Sequence, residues 1–243
     1  MYKIAMFLVL AFGFLVPSCN PEESKPVVGS GTMAAETRPL GEFHIVELGI
    51  PGEMQVTLGN EESISIEAED NILPLIETRV SGGKLTVGSI PGQVIQPTKP
   101  IKYVVTSKMV DQLITSSLGS ISVPALDVKK FKAETNSTGS IELENLYADS
   151  LQVAINSVGN IKIQAGEVQQ QTIDISSTGN YQAPDLKSAI AKVMIDSSGD
   201  AILWVTDKID VVINSSGSVR YYGDPKVKSE VNSSGTVQPL GQK

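Results

Sequence analysis

Seven serines in this chain recur in one setting, each two residues before a glycine: Ser117 and Gly119, Ser137 and Gly139, Ser157 and Gly159, Ser177 and Gly179, Ser197 and Gly199, Ser215 and Gly217, Ser233 and Gly235. A row of hydroxyls is a row of candidate nucleophiles, yet serine needs a general base within hydrogen-bond reach to attack at neutral pH. The chain has one histidine, His44, set beside Phe43 and Ile45, and one imidazole cannot serve seven serines. The seven pairs therefore read as structural corners, with small hydroxyls satisfying buried backbone groups and glycine supplying a bend forbidden to other residues. His44 reads as a structural or solvated strand residue. Glu61, Glu62, Glu67, Glu69 and Asp70 form an acidic cluster that could attract calcium. The cluster lacks the dense Asp/Asn/Gly loop of a calcium site and reads as a charged, solvated rim, so no metal site is expected. One cysteine and one histidine also exclude a disulfide framework and a four-ligand zinc site, and a formal charge of −8 excludes a basic nucleic-acid groove. No cofactor motif is present.

The corner glycines are spaced by 20 residues four times and then by 18 twice, which random Ser/Gly richness would not sustain. Four residues before each glycine stand Thr115, Thr135, Ile155, Ile175, Ile195, Ile213 and Val231, and two after it stand Ile121, Ile141, Ile161, Tyr181, Ala201, Val219 and Val237. Apolar side chains thus fall on even offsets and polar ones on odd offsets, the period-2 signature of strand, corner, strand with one face inward. A unit this short cannot close a core alone, but stacked units can. The expected fold is all-β, a β-solenoid of the right-handed parallel β-helix type with 18–20-residue coils. Seven coils about 4.8 Å apart would make a rod of roughly 30 Å. A β-sandwich is the alternative, and it has no reason to hold a fixed register. Asn136, Asn156, Asp196, Asn214 and Asn232, at odd offsets, should form exposed polar ladders.

Four regions follow. Residues 1–18 carry Lys3 and the apolar run Ile4 to Val16, too short to span a bilayer, and read as a secretory signal. The run ends at Val16-Pro17-Ser18-Cys19, which resembles a bacterial lipobox, and Cys19 is the expected lipid attachment site. An unpaired thiol is otherwise a liability in an oxidising compartment. The partner implied is a membrane, reached through the anchor and not by a spanning segment. Residues 19–38 read as a flexible tether, and Asn20-Pro21-Glu22-Glu23 resembles the acidic signal that exports Bacteroidetes lipoproteins to the cell surface. Residues 39–110 read as irregular β coils that cap the stack, with strands around 43–48, 54–58, 63–67, 84–87 and 102–106 and a helical turn or bulging loop at 70–77. Residues 111–240 are the regular coils.

The pattern resembles the head GIN domain of autotransporter-type adhesins, common as Bacteroidetes lipoproteins. The resemblance rests on Gly29-Ser30-Gly31, the opening strand around Arg38 to Leu48, Met54 to Gly59, Ser63 to Asn71, the hairpin from Thr78 to Val87, and the seven corners. It implies a β-helical fold on the cell envelope and transfers no catalytic motif.

Contact chemistry is expected at one outward offset, five residues after the glycine, where the last coils carry Trp204, Tyr222 and Leu240, with Ile202 close by. Aromatics stacked on neighbouring coils would make a platform for a glycan or a surface protein. The competing reading is that the C-terminal tail folds over the strip or that the rings turn into the core. Asp149-Ser150-Leu151 resembles the O-glycosylation triplet of Bacteroidetes and places an acceptor at Ser150. The function expected is a lipid-anchored, non-enzymatic envelope scaffold for adhesion or ligand binding. The alternatives are a polysaccharide lyase or hydrolase on the same fold and a structural protein polymerising end to end. The sequence leaves the oligomeric state open.

Overall fold

A computed structural model describes residues 25–243. Residues 1–24, with the expected signal, Cys19 and the acidic export stretch, lie outside the described residues. In chain order the strands are β1 (Val27–Val28), β2 (Met33–Pro39), β3 (Ile45–Leu48), β4 (Glu53–Leu58), β5 (Ser63–Glu69), β6 (Ile76–Ser81), β7 (Lys84–Ser89), β8 (Ile95–Gln96) and β9 (Lys102–Ser107). They continue as β10 (Gln112–Thr115), β11 (Ser120–Thr135), β12 (Ser140–Ile155), β13 (Asn160–Ile175), β14 (Asn180–Ile195), β15 (Asp200–Ile213), β16 (Ser218–Tyr222), β17 (Lys226–Val231) and β18 (Thr236–Pro239).

The chain is a β-solenoid of about 6 turns. Seven corners bound six full turns, which is why the seven expected coils are one too many. From β10 onward every strand pairs parallel with its counterpart one coil away, Ile121 with Ile141 and Ala133 with Val153 in β11 and β12, for example. The pairing skips Pro124/Glu144 and Lys129/Asp149, so each 16-residue strand bends twice and the coil has three straight segments. Inward side chains pile into aliphatic columns such as Ala133, Val153, Ile173, Val193 and Val211, all buried. Each column shields the backbone bonds of the next coil from water, so burial and pairing reinforce each other along the rod.

The irregular first third continues both sides of the stack. Beyond β10 come β3, β7 and β6, and beyond β11 come β4, β9, β5 and β2. Here the parallel rule breaks, for β2/β5, β5/β9 and β6/β7 are antiparallel. The two terminal strands are tied by Arg38, whose Nη1 donates to Ile76 O at 2.8 Å and to Thr78 Oγ1 at 3.4 Å across the end of the core. The first end of the rod is therefore closed. The cap strands lie as the sequence predicts, and a 3-10 turn at Leu73–Leu75 resolves the 70–77 segment.

One expectation fails. The tether of residues 19–38 stops short, because Met33–Pro39 is strand β2, paired with β5 over seven residues. Its burial has no regular alternation, so it is recruited by the open edge of β5 and not by its own pattern.

Candidate functional site

The corner serines Ser117, Ser137, Ser157, Ser177, Ser197, Ser215 and Ser233 do not form a reactive row. Their side chains sit at the rim of the turn, and what the corner uses is their backbone: Ser157 O accepts from Gly179 N and Ser197 O from Gly217 N, each at 3.1 Å. The glycines are required, but for a different reason than a special bend. None of the seven has a positive φ. A Cβ on Gly139, Gly159, Gly179, Gly199, Gly217 or Gly235 would instead lie 2.9 Å or less from the carbonyl oxygen of the corner glycine one coil earlier, and on Gly119 it would lie 2.7 Å from Ile50 O. The corner is a stack of close backbone approaches. The outward residues beside it make the expected ladders: Asn156 Nδ2 donates to Asn136 Oδ1 at 2.7 Å, Asn214 Nδ2 to Asp196 Oδ1 at 2.7 Å and Asn232 Nδ2 to Asn214 Oδ1 at 2.8 Å.

The aromatic strip is present and outward. Trp204 and Tyr222 are cross-coil partners in β15 and β16, as are Ile202 and Arg220, and both rings are half-buried. The tail also lies over them. Lys243 Nζ stands 4.7 Å from the Tyr222 ring centroid and 5.9 Å from that of Trp204, and it pairs with Asp185. Leu240 N bonds Tyr221 O at 2.7 Å and Gly223 N bonds Gly241 O at 2.9 Å, which continues the tail parallel to β16 beside the strip. The rings thus face outward, and the tail's lysine lies over them. Beside the strip lies a depression of about 310 Å³ lined by Lys162, Gln164, Gln182, Pro184, Asp185 and Ile202. Lys162 and Gln164 both donate to Glu142 Oε1, at 2.9 and 2.8 Å, and these two bonds hold the Glu142 carboxyl below its usual range.

The strip owes its position to the first short coil. Between β14 and β15 the register jumps from Ala183/Leu203 to Lys187/Trp204, so Pro184–Leu186 has no partner in β15. Trp204 therefore pairs with Lys187 and not with residue 184, as equal coils would require. Inside, a polar chain occupies an otherwise aliphatic core: Tyr181 Oη donates to Gln171 Oε1 at 2.8 Å, Gln171 Nε2 to Ser188 Oγ at 2.7 Å and Ser188 Oγ to Trp204 O at 2.8 Å. The Trp204 carbonyl, displaced by the slip, gets a donor from Ser188, and the chain leaves no member unmatched.

The acidic cluster is not a uniform rim. Glu69 is 1% exposed and accepts from Gly31 N at 2.6 Å, Thr98 N at 2.8 Å, Thr98 Oγ1 at 2.5 Å and Lys99 N at 3.4 Å. The Thr98 hydroxyl is the main reason its pKa is held down to about 2, aided by the backbone donors against the cost of burial. Next to it Asp70 takes the Ser30 hydroxyl, and Asn71 holds Ser30 N and Val28 O at 2.8 Å each. These three residues fasten the incoming chain to the cap. His44, expected within a strand, lies in the bend just before β3, its Nδ1 2.9 Å from Asp111 Oδ1 at the surface. Ser150 is half-buried within β12, its hydroxyl 3.5 Å from Gln170 Nε2, and not in an exposed gap between coils.

A family model described as "Putative auto-transporter adhesin, head GIN domain" matches residues 42–225. The chain belongs to this family. Among solved structures, this head GIN chain is similar to a "putative adhesin" from Bacteroides fragilis at 20% identity and a TM-score of 0.80, covering 89% of this chain and 100% of that one. It is similar to a "putative lipid binding protein" from Parabacteroides distasonis at 19% identity and 0.72, with 89% and 100% covered. A "putative adhesin" from Parabacteroides merdae follows at 18% identity and 0.65, with 88% and 98% covered. These likenesses show a shared fold. No curated protein matches.

Sequence reasoning missed two parts of this head GIN chain. Lys162, Gln164, Gln182 and Asp185 line the depression; the signal for the first three is their odd, outward offsets, where residues 20 apart are neighbours in the stack, and Asp185 comes from the register slip. The Glu69 latch had no such signal, because its partners at 31, 98 and 99 lie in segments without a repeat.

Proposed function

We propose that this chain is an envelope protein, anchored by lipid on Cys19, whose solenoid is a non-enzymatic scaffold presenting a side-wall site for a glycan or protein ligand. The adhesin description of its family supports the envelope setting and the absence of catalysis. The observation that carries the ligand site is the outward pair Trp204 and Tyr222 on adjacent coils, beside the groove with Ile202, Gln164, Gln182 and Asp185. Aromatic faces favour the C–H surface of a sugar or an apolar protein anchor, and amides and a carboxylate beside them suit hydroxyls. Lys243 is the built-in competitor, so a ligand gains the ring faces by displacing its ammonium.

The deciding experiment is a glycan array probed with wild type and Trp204→Ala. Retained binding by the variant removes the strip from the site. Release of unsaturated sugars from an acidic polysaccharide would replace the scaffold reading with a lyase. For the anchor, Cys19→Ala should move the protein from the membrane to the soluble fraction, and a variant that stays membrane-bound refutes it.

A further inference from the structure

The two ends of the rod differ. At the first, Arg38 of β2 bonds across to β6, whereas among the described residues nothing spans the outer side of the last coil, β17 and β18. Val227 and Val231 continue columns in which Ile209 and Ile213 are fully buried, yet they are 44% and 39% exposed. The chain beyond Pro239 continues parallel to β16 alongside Tyr221–Gly223 and leaves β17 uncovered. β17 is thus an unpaired edge with an apolar inner face, and such an edge is a template for another strand.

We propose that this edge is a self-association surface on which a second copy of the chain docks tail to tail, β17 pairing antiparallel with β17. Asn232 N bonds back to Ile213 O, so even-numbered residues here face β15 and Val227, Ser229 and Val231 turn their N–H and C=O groups outward. Antiparallel pairing must bring those odd residues opposite one another, which leaves five registers, centred on residues 227 to 231, and those centred on Lys228 or Glu230 set two lysines or two glutamates face to face. Centred on Val227, Lys226 meets Lys228. Centred on Val231, Glu230 meets Asn232. Centred on Ser229, Val227 meets Val231 on the core side, and Lys228 meets Glu230 on the solvent side, twice over by symmetry. Only this last register joins apolar to apolar and positive to negative. It also places the Lys–Glu pairs at the closely spaced, non-hydrogen-bonded positions where cross-strand pairs interact most. The same lysines repel other edges, which gives the surface its selectivity. In β18, Pro239 lacks a backbone donor, so β17 carries the pairing. A two-fold axis through Ser229 closes the assembly at two chains.

Sedimentation velocity of the purified full chain, from nanomolar to submillimolar, is the test. The expected result is a reversible monomer–dimer equilibrium without larger species. Lys228→Glu and Glu230→Lys should each weaken the dimer roughly tenfold or more, and the double exchange should restore it. Far-ultraviolet circular dichroism of each variant guards against loss of the fold. A chain that stays monomeric throughout, single variants that dimerise like wild type, a double exchange that fails to recover, or oligomers that grow into filaments would each overturn the proposal.

Discussion

Gly179 sits where a methyl group would press on Gly159 O, Ser157 O and the Ile155 side chain, two of them backbone atoms one coil away that cannot swing aside. Gly179→Ala should therefore cost about 2–3 kcal/mol as the coils are pushed apart. Gly88, in β7, has open space around the same position and no positive φ, so Gly88→Ala should be neutral or gain up to about 0.5 kcal/mol from the unfolded state. Chemical denaturation of the two variants separates crowding from any generic effect of replacing glycine. Just inside the corner, Thr115 and Thr135 are wholly buried and their hydroxyls have no partner among the described residues, in a column that continues as Ile155, Ile175, Ile195 and Ile213. Thr135→Val keeps the shape and removes an unmatched polar atom, and should stabilise the protein by about 1 kcal/mol. A lowered melting temperature would mean that the hydroxyl has a partner after all. The spacing of the corner glycines was legible in the sequence, whereas the reason for them was not. A bend and a close approach both select glycine, and only the coil-to-coil distance distinguishes them.

Among the elements, the cap depends on a group whose role is electrostatic. Glu69, at the end of β5, gathers Gly31, Thr98 and Lys99, and a Cβ on Gly29 would collide with its carboxylate. The charged form is the one these donors bind, which is why its pKa falls from an ordinary 4.5 to about 2. A carboxylate depressed in the folded state stabilises it fully above the unfolded pKa, so the latch holds above about pH 4.5 and is lost as pH falls toward 2. Amide exchange at Gly31 and Thr98 should accelerate over that window while the amides of β12 stay protected. Glu69→Gln should loosen the same two amides at neutral pH, and exchange that ignores the substitution would dismiss the latch. This element escapes sequence reading because it is assembled from loops whose only common feature is that they meet one carboxylate. β2 escaped for a related reason, since a strand recruited by a neighbour's edge needs no alternation of its own.

The regular rod could be read from spacing alone because each coil touches only its neighbours, so a period in sequence becomes a translation in space. The slip at Pro184–Leu186 shows the limit of that logic: a change of spacing from 20 to 18 announces a deletion but not where the register absorbs it. That slip fixes the pairing of Trp204, which meets Tyr222 on one side as the spacing implied and Lys187, not residue 184, on the other. The same quasi-linear construction governs how the molecule comes apart. A coil inside the stack is held from two sides, the first coils are closed by β2, β6 and Arg38, and the last is held from one side with its inner valines exposed. Stability should fall toward residues 226–239, and in dilute monomer these amides should exchange first. As denaturant rises, the front should move into β15 and β16 before β11 to β13 respond, because each lost coil exposes the next pair of edges and columns to water. Peptide-resolved hydrogen exchange along a shallow denaturant series follows that front. Simultaneous loss of protection in all coils would show instead that the stack unfolds as one unit, with coupling between coils strong enough to erase the difference between a closed end and an open one.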